Sequence, residues 1–475
     1  MDYLIAGLPG SVADAESSGD FALALALIDG LLRRRLPKAL AARLRFEKER
    51  IFRLRKAYAF GRPAAQRAFR RLLKGFRNSE LDGWIKAGHV SPRIIDGRER
   101  FGRAFAANAV FCLPELKGRI RTPEAARRAA GKEKLFSRVD ELSAGARPAK
   151  YRVRARITLT LKKTPRYKVR CWLPFPRVGD QVSSARLLAA SHKNYRLAPP
   201  DAAHRTIYFE GKDKRFFAEF EYDISEWTPP PGGGNRIPPS AGRYLREEPP
   251  HVVLSPYIRG LAASITGDEK DNYRKAGRIY DWLTENLTYN FTLPYGVYEG
   301  IAEHALTSLR GDCGFMALAF IALCRAAGVP AKWQSGWAVR EDRAGYHDWA
   351  MFYAGRWRPV DVSFGAGMRA AGQERRRRFY FGNLDAGRMV ANSEFGAPLW
   401  PRKRHWRTDP ADNQMGEAET VSGNIYLDGF RSRIKVLGFE RLGQRPSLPA
   451  RKSDRTSAAP WPAAPKGASR PGGGP

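Results

Sequence analysis

Arg310-Gly311-Asp312-Cys313-Gly314 runs without a break into Phe315-Met316-Ala317-Leu318-Ala319-Phe320-Ile321-Ala322-Leu323. The second part has no polar face, which predicts a helix buried on all sides within its domain. Gly328 and Pro330 end it. Cys313 then falls in the first turn, where unpaired N–H groups and the helix dipole favour an anion. A thiolate, the nucleophilic form of cysteine, is expected to be stabilised there. The same N–H groups can receive the oxyanion of a tetrahedral intermediate. Gly314 leaves room for a substrate carbonyl, and Asp312 is expected to cap the helix.

Four cysteines occur, Cys112, Cys171, Cys313 and Cys324, with no CxxC pair and no zinc spacing. Cys313 and Cys324 share one helix, about 16 Å apart along its axis and beyond disulfide reach. A reduced, cytoplasmic protein is the simplest expectation. Cys324 reads as an inert core thiol, and Cys112 and Cys171 the same.

What sets Cys313 apart is the histidine and carboxylate that follow. Trp333 to Val339 and Tyr346 to Tyr353 read as strands, and a turn at Ala354-Gly355 leads into Arg356-Trp357-Arg358-Pro359-Val360-Asp361. For His347 to activate Cys313 and be oriented by Asp361, both must leave the same face of this hairpin. A two-residue loop sends them to opposite faces. A three-residue loop, Tyr353-Ala354-Gly355, pairs them directly, and its last position suits the positive φ of Gly355. Cys313 then attacks a carbonyl, His347 takes and returns the proton, and Asp361 holds the imidazole. Asp348 is expected to point to the other face.

Outward from this hairpin the chain divides. At 475 residues it should hold two to four domains. Residues 1–145 read as helical and basic. From Leu36 the positions Leu40, Leu44, Ile51, Leu54 and Tyr58 recur at helical spacing. Ser79 to Asp82 has the form of a capping box, and Phe21 to Leu32 reads as a buried helix rather than a membrane span. Residues 146–228 alternate in the manner of half-buried strands, Tyr151 to Leu161 and Phe216 to Ile224 most clearly, and predict a small antiparallel β-sandwich. A Pro/Gly linker, 229–250, is expected to lack regular structure. Residues 251–435 form the expected catalytic domain and 436–475 a disordered tail.

The excess of 83 Lys+Arg over 48 Asp+Glu, a net +35, could recruit nucleic acid or an acidic partner through the N-terminal region. The charges are spread along whole helices, so a solvated face is the favoured reading. The run Arg375 to Arg378 is read in the same way, as a solvated loop.

Gly311-Asp312-Cys313-Gly314, His347-Asp348-Trp349 and Trp357-Arg358-Pro359-Val360-Asp361 together resemble the transglutaminase-like superfamily, whose members carry these three motifs in this order. The helix from Ala276 through Tyr289 and the strand at Gly336-Trp337 are similar to the family's flanking elements. The resemblance implies an α+β fold: a papain-like transglutaminase core, its nucleophile helix packed on an antiparallel sheet, here preceded by the β-sandwich-like domain and the basic helical domain. It implies acyl transfer from a peptide or protein substrate through a thioester, with Cys313, His347 and Asp361 catalytic. Hydrolysis is the leading expectation. Transamidation, and a non-catalytic scaffold using the basic N-terminal region, are the alternatives. No cofactor and no metal are expected, since no acidic calcium loop is present. Tyr289 and Trp282 are the aromatic candidates for an oxyanion site. Phe381 to Asp385 and Asp412 to Glu417 resemble the C-terminal part of such proteins without an assignable role.

Overall fold

Apolar residues at helical spacing build the N-terminal region as read. The computed structural model describes residues 6–121, 136–230 and 232–443. Helices α1 (Gly10–Ser17), α2 (Phe21–Leu32) and α3 (Lys38–Ala57) bury Val12, Phe21, Ile28, Leu44, Ile51 and Leu54 in one cluster. Helices α4 (Arg62–Leu72), α5 (Asn78–Lys86) and α6 (Phe105–Cys112), with the hairpin β1 (Arg93–Ile95) and β2 (Arg98–Arg100), enclose a second around Phe69, Phe101 and Phe105. The capping box of α5 closes two residues before the expected one: Glu80 accepts the backbone N–H of Arg77 at 2.8 Å.

The solvated-face reading of the basic helices fails at three positions. Arg43, Arg50 and Arg53 are buried. They are tolerated there because carboxylates meet them, Glu49 at 2.9 Å in the case of Arg53. Glu47 pairs with both Arg43 and Arg50, and Glu16 pairs with Arg50. Arg43 also reaches Glu299 in the catalytic region at 2.5 Å, and Arg50 donates to the Val297 carbonyl at 3.0 Å. The N-terminal helices are therefore docked on the catalytic region through paired charges.

After helix α7 (136–143) come β3 (Lys150–Leu161), β4 (Val169–Pro174), β5 (Val182–Ala190), β6 (Tyr195–Leu197), β7 (Thr206–Gly211) and β8 (Arg215–Ser225). Within the 229–250 segment a short helix α8 (Pro239–Gly242) forms, Pro239 supplying the φ that a first turn requires. The expected structureless linker is also tied down, its Asn235 accepting from the Asn272 N–H at 2.9 Å.

The catalytic region contains α9 (Pro256–Thr266), α10 (Asn272–Asn286), β9 (Thr288–Tyr289), α11 (Ile301–Ser308), β10 (Arg310–Gly311) and α12 (Cys313–Ala326). They are followed by β11 (Ala331–Val339), β12 (Ala344–Tyr353), β13 (Trp357–Val360), α13 (Val362–Ala370), α14 (Glu374–Phe379) and β14 (Arg388–Asn392). Strands order as β13-β12-β11-β14, all antiparallel. Helix α12 packs on one face of this sheet, with Phe315 to Cys324 wholly enclosed.

The last strands, β15 (Glu417–Thr420), β16 (Gly423–Ile425) and β17 (Phe430–Arg441), return to the sandwich. Its two sheets run β16-β15-β4-β7-β6 and β17-β3-β8-β5. The expected boundary at 436 therefore falls inside a strand, and residues 146–228 supply only part of the sandwich. The pattern Phe430, Ser432, Ile434, Val436 alternating with Arg431, Arg433 and Lys435 is that of a half-buried strand, and β17 pairs along the whole of β3. The expected tail beyond residue 443 lies outside the described residues.

Candidate active site

Cys313 is the first residue of α12, and Asp312 caps that helix by accepting from the Phe315 N–H at 3.3 Å. Gly314 is required: a Cβ there would lie 2.1 Å from the Tyr295 hydroxyl and 2.8 Å from Asp348 Oδ2. The hydroxyls of Thr292 and Tyr295 donate to Asp312 at 2.5 and 2.6 Å. Tyr289, on β9, lies within hydrogen-bond reach of Cys313, while Trp282 packs against the core. Of the two aromatic candidates, only Tyr289 is at the thiol.

His347 and Asp361 meet as the parity argument requires, through a different register. Tyr353 opposes Trp357 and Met351 opposes Pro359, so the three-residue loop is Ala354-Gly355-Arg356. Gly355, at φ +69°, occupies its middle position. His347 and Asp361 are diagonal neighbours on one face instead of direct partners. His347 is buried, and Asp361 Oδ2 lies 2.7 Å from its Nε2. The imidazole lies between Trp349 and Phe364, ring centroids 5.8 and 5.0 Å away.

Sequence reading missed Arg388. Its Nε and Nη2 donate to Asp361 Oδ2 at 3.1 and 2.9 Å, and its Nη1 donates to Asp385 Oδ1 at 3.1 Å. Burial by itself would push the Asp361 carboxyl up. The His347 imidazole and the Arg388 guanidinium beside it outweigh burial and hold Asp361 down at about 2. Asp361 also accepts from the Phe364 N–H at 3.1 Å, capping α13. The carboxylate is thus ionised and held from three sides.

Asp348 does point to the opposite face from His347, and Cys313 is found on that side. The thiol donates to Asp348 Oδ2 at 3.3 Å, and the structure shows no hydrogen bond between Cys313 and His347. Gln414 donates to Asp348 and, at 2.6 Å, to Asp412 Oδ2, joining the two carboxyls. Thus the two C-terminal stretches without an assigned role both support the site: Asp385 holds Arg388, and Asp412 and Gln414 hold Asp348.

This surrounding reverses the expectation of a stabilised thiolate. Burial pushes the Cys313 thiol well up, and Asp348 and Asp312 add to the shift. Burial also raises Asp348 well above the usual carboxylate range, with Asp412 and Asp312 as its like-charged neighbours. Burial and these carboxyls favour the neutral thiol of Cys313 at rest. Alkylation by iodoacetamide should therefore follow a pH profile above that of a free thiol. Wherever the Asp348 carboxyl is ionised it opposes a thiolate beside it, so Asp348→Asn should move the profile towards lower pH. Identical profiles in the two chains would remove Asp348 from this account.

Residues 259–362, a stretch that holds all three motifs, match the family model of the transglutaminase-like superfamily. The chain carries a transglutaminase-like domain. An uncharacterized protein of Haemophilus influenzae is 26% identical over 193 residues, covering 34% of this chain and 52% of that protein. YebA of Bacillus subtilis, also uncharacterized, is 28% identical over 88 residues, 18% of this chain and 12% of YebA. The chain thus spans about half the length of the first relative and much less of the second. Among solved structures, a candidate cysteine protease from Cytophaga hutchinsonii aligns at 15% identity with a TM-score of 0.43, covering 64% of this chain and 93% of that one. The periplasmic domain of TgpA from Pseudomonas aeruginosa aligns at 16% identity and a TM-score of 0.27, covering 50% and 95%. Among the described residues, no helix is long and apolar enough to cross a membrane, and no His, Cys, Asp and Glu group is arranged to hold a metal ion.

Proposed function

We propose that this protein is a cysteine-nucleophile acyl-transfer enzyme that hydrolyses peptide or amide bonds through a thioester on Cys313. The observation that carries the reading is the Asp361–His347 pair, with His347 next in the chain to Asp348, whose carboxyl accepts from the Cys313 thiol at the start of α12. With Nε2 committed to Asp361, Nδ1 is the nitrogen left to take a proton. Because the resting thiol is neutral, the proton moves as the bond to sulfur forms: Cys313 attacks the carbonyl, and His347 becomes imidazolium opposite Asp361. That proton then goes to the leaving amine, and water, deprotonated by the same ring, cleaves the thioester. Cys313 rests on the Asp348 side of β12, so its side chain gives up that bond and turns to the imidazole before attack.

The likeness of Cys313, His347 and Asp361 to the superfamily motifs supports this assignment, as does the burial of His347 between two aromatic rings. The test is mass spectrometry of the protein quenched after mixing with p-nitrophenyl acetate. An acetyl group is expected on the Cys313 peptide, lost with time in water and absent from Cys313→Ala. Acetylation spread over surface lysines, with Cys313 unmodified, would sink the reading. Adding dansylcadaverine together with a glutamine-containing protein separates the alternative, since stable amine incorporation that needs Cys313 would mark a transamidase.

A further inference from the structure

A cavity of about 530 Å³ lies between the N-terminal helices and the catalytic region. Arg50, Arg93 and Asn108 line it from one side, and Asn290, Thr292 and Arg310 from the other. Its catalytic-region wall is continuous with the nucleophile turn. Asn290 donates its backbone N–H to the Gly311 carbonyl at 3.0 Å, and Thr292 holds the cap residue Asp312. The opposite wall is fixed to the same segment, for the Asn108 side chain bonds both the N–H and the carbonyl of Phe291, at 2.7 and 2.8 Å. The cavity therefore lies behind the segment that carries the nucleophile turn, and only the two regions together create it.

Its chemistry is specific. Arg50 is neutralised by Glu16 and Glu47. Neither Arg93 nor Arg310 meets a carboxylate among the described residues: Arg93 donates to the Glu16 carbonyl at 2.9 Å, and Arg310 makes only a 3.4 Å contact to the Gly88 carbonyl. Glu299 also lines the space, but it is engaged by Arg43. The side-chain oxygen of Asn290 is buried with no hydrogen-bond partner. A buried acceptor without a donor is costly, and a turn of the Asn290 amide that presents it to a ligand N–H would remove that cost. Two uncompensated cations beside an orphan amide acceptor suit one ligand class, an acidic peptide segment. Its backbone N–H meets Asn290, and its carboxylates meet Arg310 and Arg93 in charge-assisted bonds. Three extended residues span about 10 Å, a length that a cavity of this volume accommodates.

We infer that this cavity is the subsite that selects acidic peptide substrates, and that forming its far wall is a function of the basic N-terminal region. The inference rests on Cys313 being the nucleophile. Its test reads binding alone, so that the two can fail separately. Acetyl-Glu-Glu-Glu-amide is titrated calorimetrically into the full chain bearing Cys313→Ala, and the labelling of Cys112, which lines the cavity, by N-ethylmaleimide is followed in parallel. The acidic peptide should bind and slow labelling of Cys112, whereas acetyl-Lys-Lys-Lys-amide should do neither. Arg310→Gln, at an exposed position, should weaken binding about tenfold, the worth of one charged hydrogen bond. No heat with the acidic peptide, equal affinity in Arg310→Gln, or a Cys112 that stays equally reactive with peptide bound would each overturn the cavity assignment. None of those outcomes touches acyl-enzyme formation on Cys313, which the acetylation experiment reads independently.

Discussion

His347→Ala should lower kcat by about 10⁴-fold, because it removes both the proton acceptor of the attack and the donor to the leaving group. The loss should be larger here than in an enzyme with a preformed thiolate. Cys313 rests as a thiol pushed up by burial and by Asp348 and Asp312, so a variant without the imidazole has no ready nucleophile near neutral pH. Asp361→Asn should approach the same loss while leaving the strand in place, since the amide favours the wrong ring tautomer. Steady-state hydrolysis of an acyl-ester reporter measures both. A loss of less than about tenfold in His347→Ala would mean that another group takes the proton. Asp348, already bonded to the thiol, would then be the group to examine. Asp361 also sets an acid limit. With its carboxyl held at about 2, its stabilisation is complete above the unfolded value of about 3.9 and is lost as pH falls through that window.

The second large effect is on stability. Arg388→Met should cost about 3–5 kcal/mol, because it leaves Asp361 and Asp385 as buried carboxylates without their shared cation. Arg388 is 1% exposed, and both acids lie within 3.1 Å of its guanidinium. Denaturant unfolding should show the loss. Adding Asp385→Asn should return part of it by removing one stranded charge. A change below about 1 kcal/mol in Arg388→Met, the scale of an exposed pair, would mean that water reaches the cluster. The same substitution should also weaken the hold on His347, so activity and stability should fall together.

Much of the core was legible because short-range rules decide it. A helix apolar on every face must be buried, and Cys313 at its start followed from that alone. The parity of His347 and Asp361 followed from strand alternation, which survives a register shift of two residues. For that reason the wrong loop residues still gave the right face. Arg388 gave no such signal. It sits 27 residues after Asp361, in one of many arginines in a chain rich in them, and only the sheet order brings it back. Asp412 and Gln414 escaped for the same reason, since their partner Asp348 is remote in sequence. The thiol's charge state was misread because a helix terminus is visible in sequence, whereas carboxyls converging from three segments are not. Arg43, Arg50 and Arg53 were read as solvated because helical periodicity cannot show that Glu16 and Glu299 come to meet the first two, nor that the Arg407 carbonyl accepts from Arg53.

The return of β17 to β3 has a consequence for how the protein is made. Phe430 opposes Leu161 and Arg441 opposes Tyr151, so the sandwich closes between segments with the whole catalytic region threaded between them. Contact order of this kind slows folding, because a long loop must be ordered before its ends gain anything. During synthesis, β3 has β8 on one side but no partner on the other until the whole catalytic region has left the ribosome. Its exposed edge is a site for mispairing throughout that interval. Arg152, Arg154 and Arg156, which meet Asp223 and Glu219 on β8, place charge along that waiting strand. Charge so placed opposes edge-to-edge mispairing, and in the finished fold the same side chains are ion-pair partners.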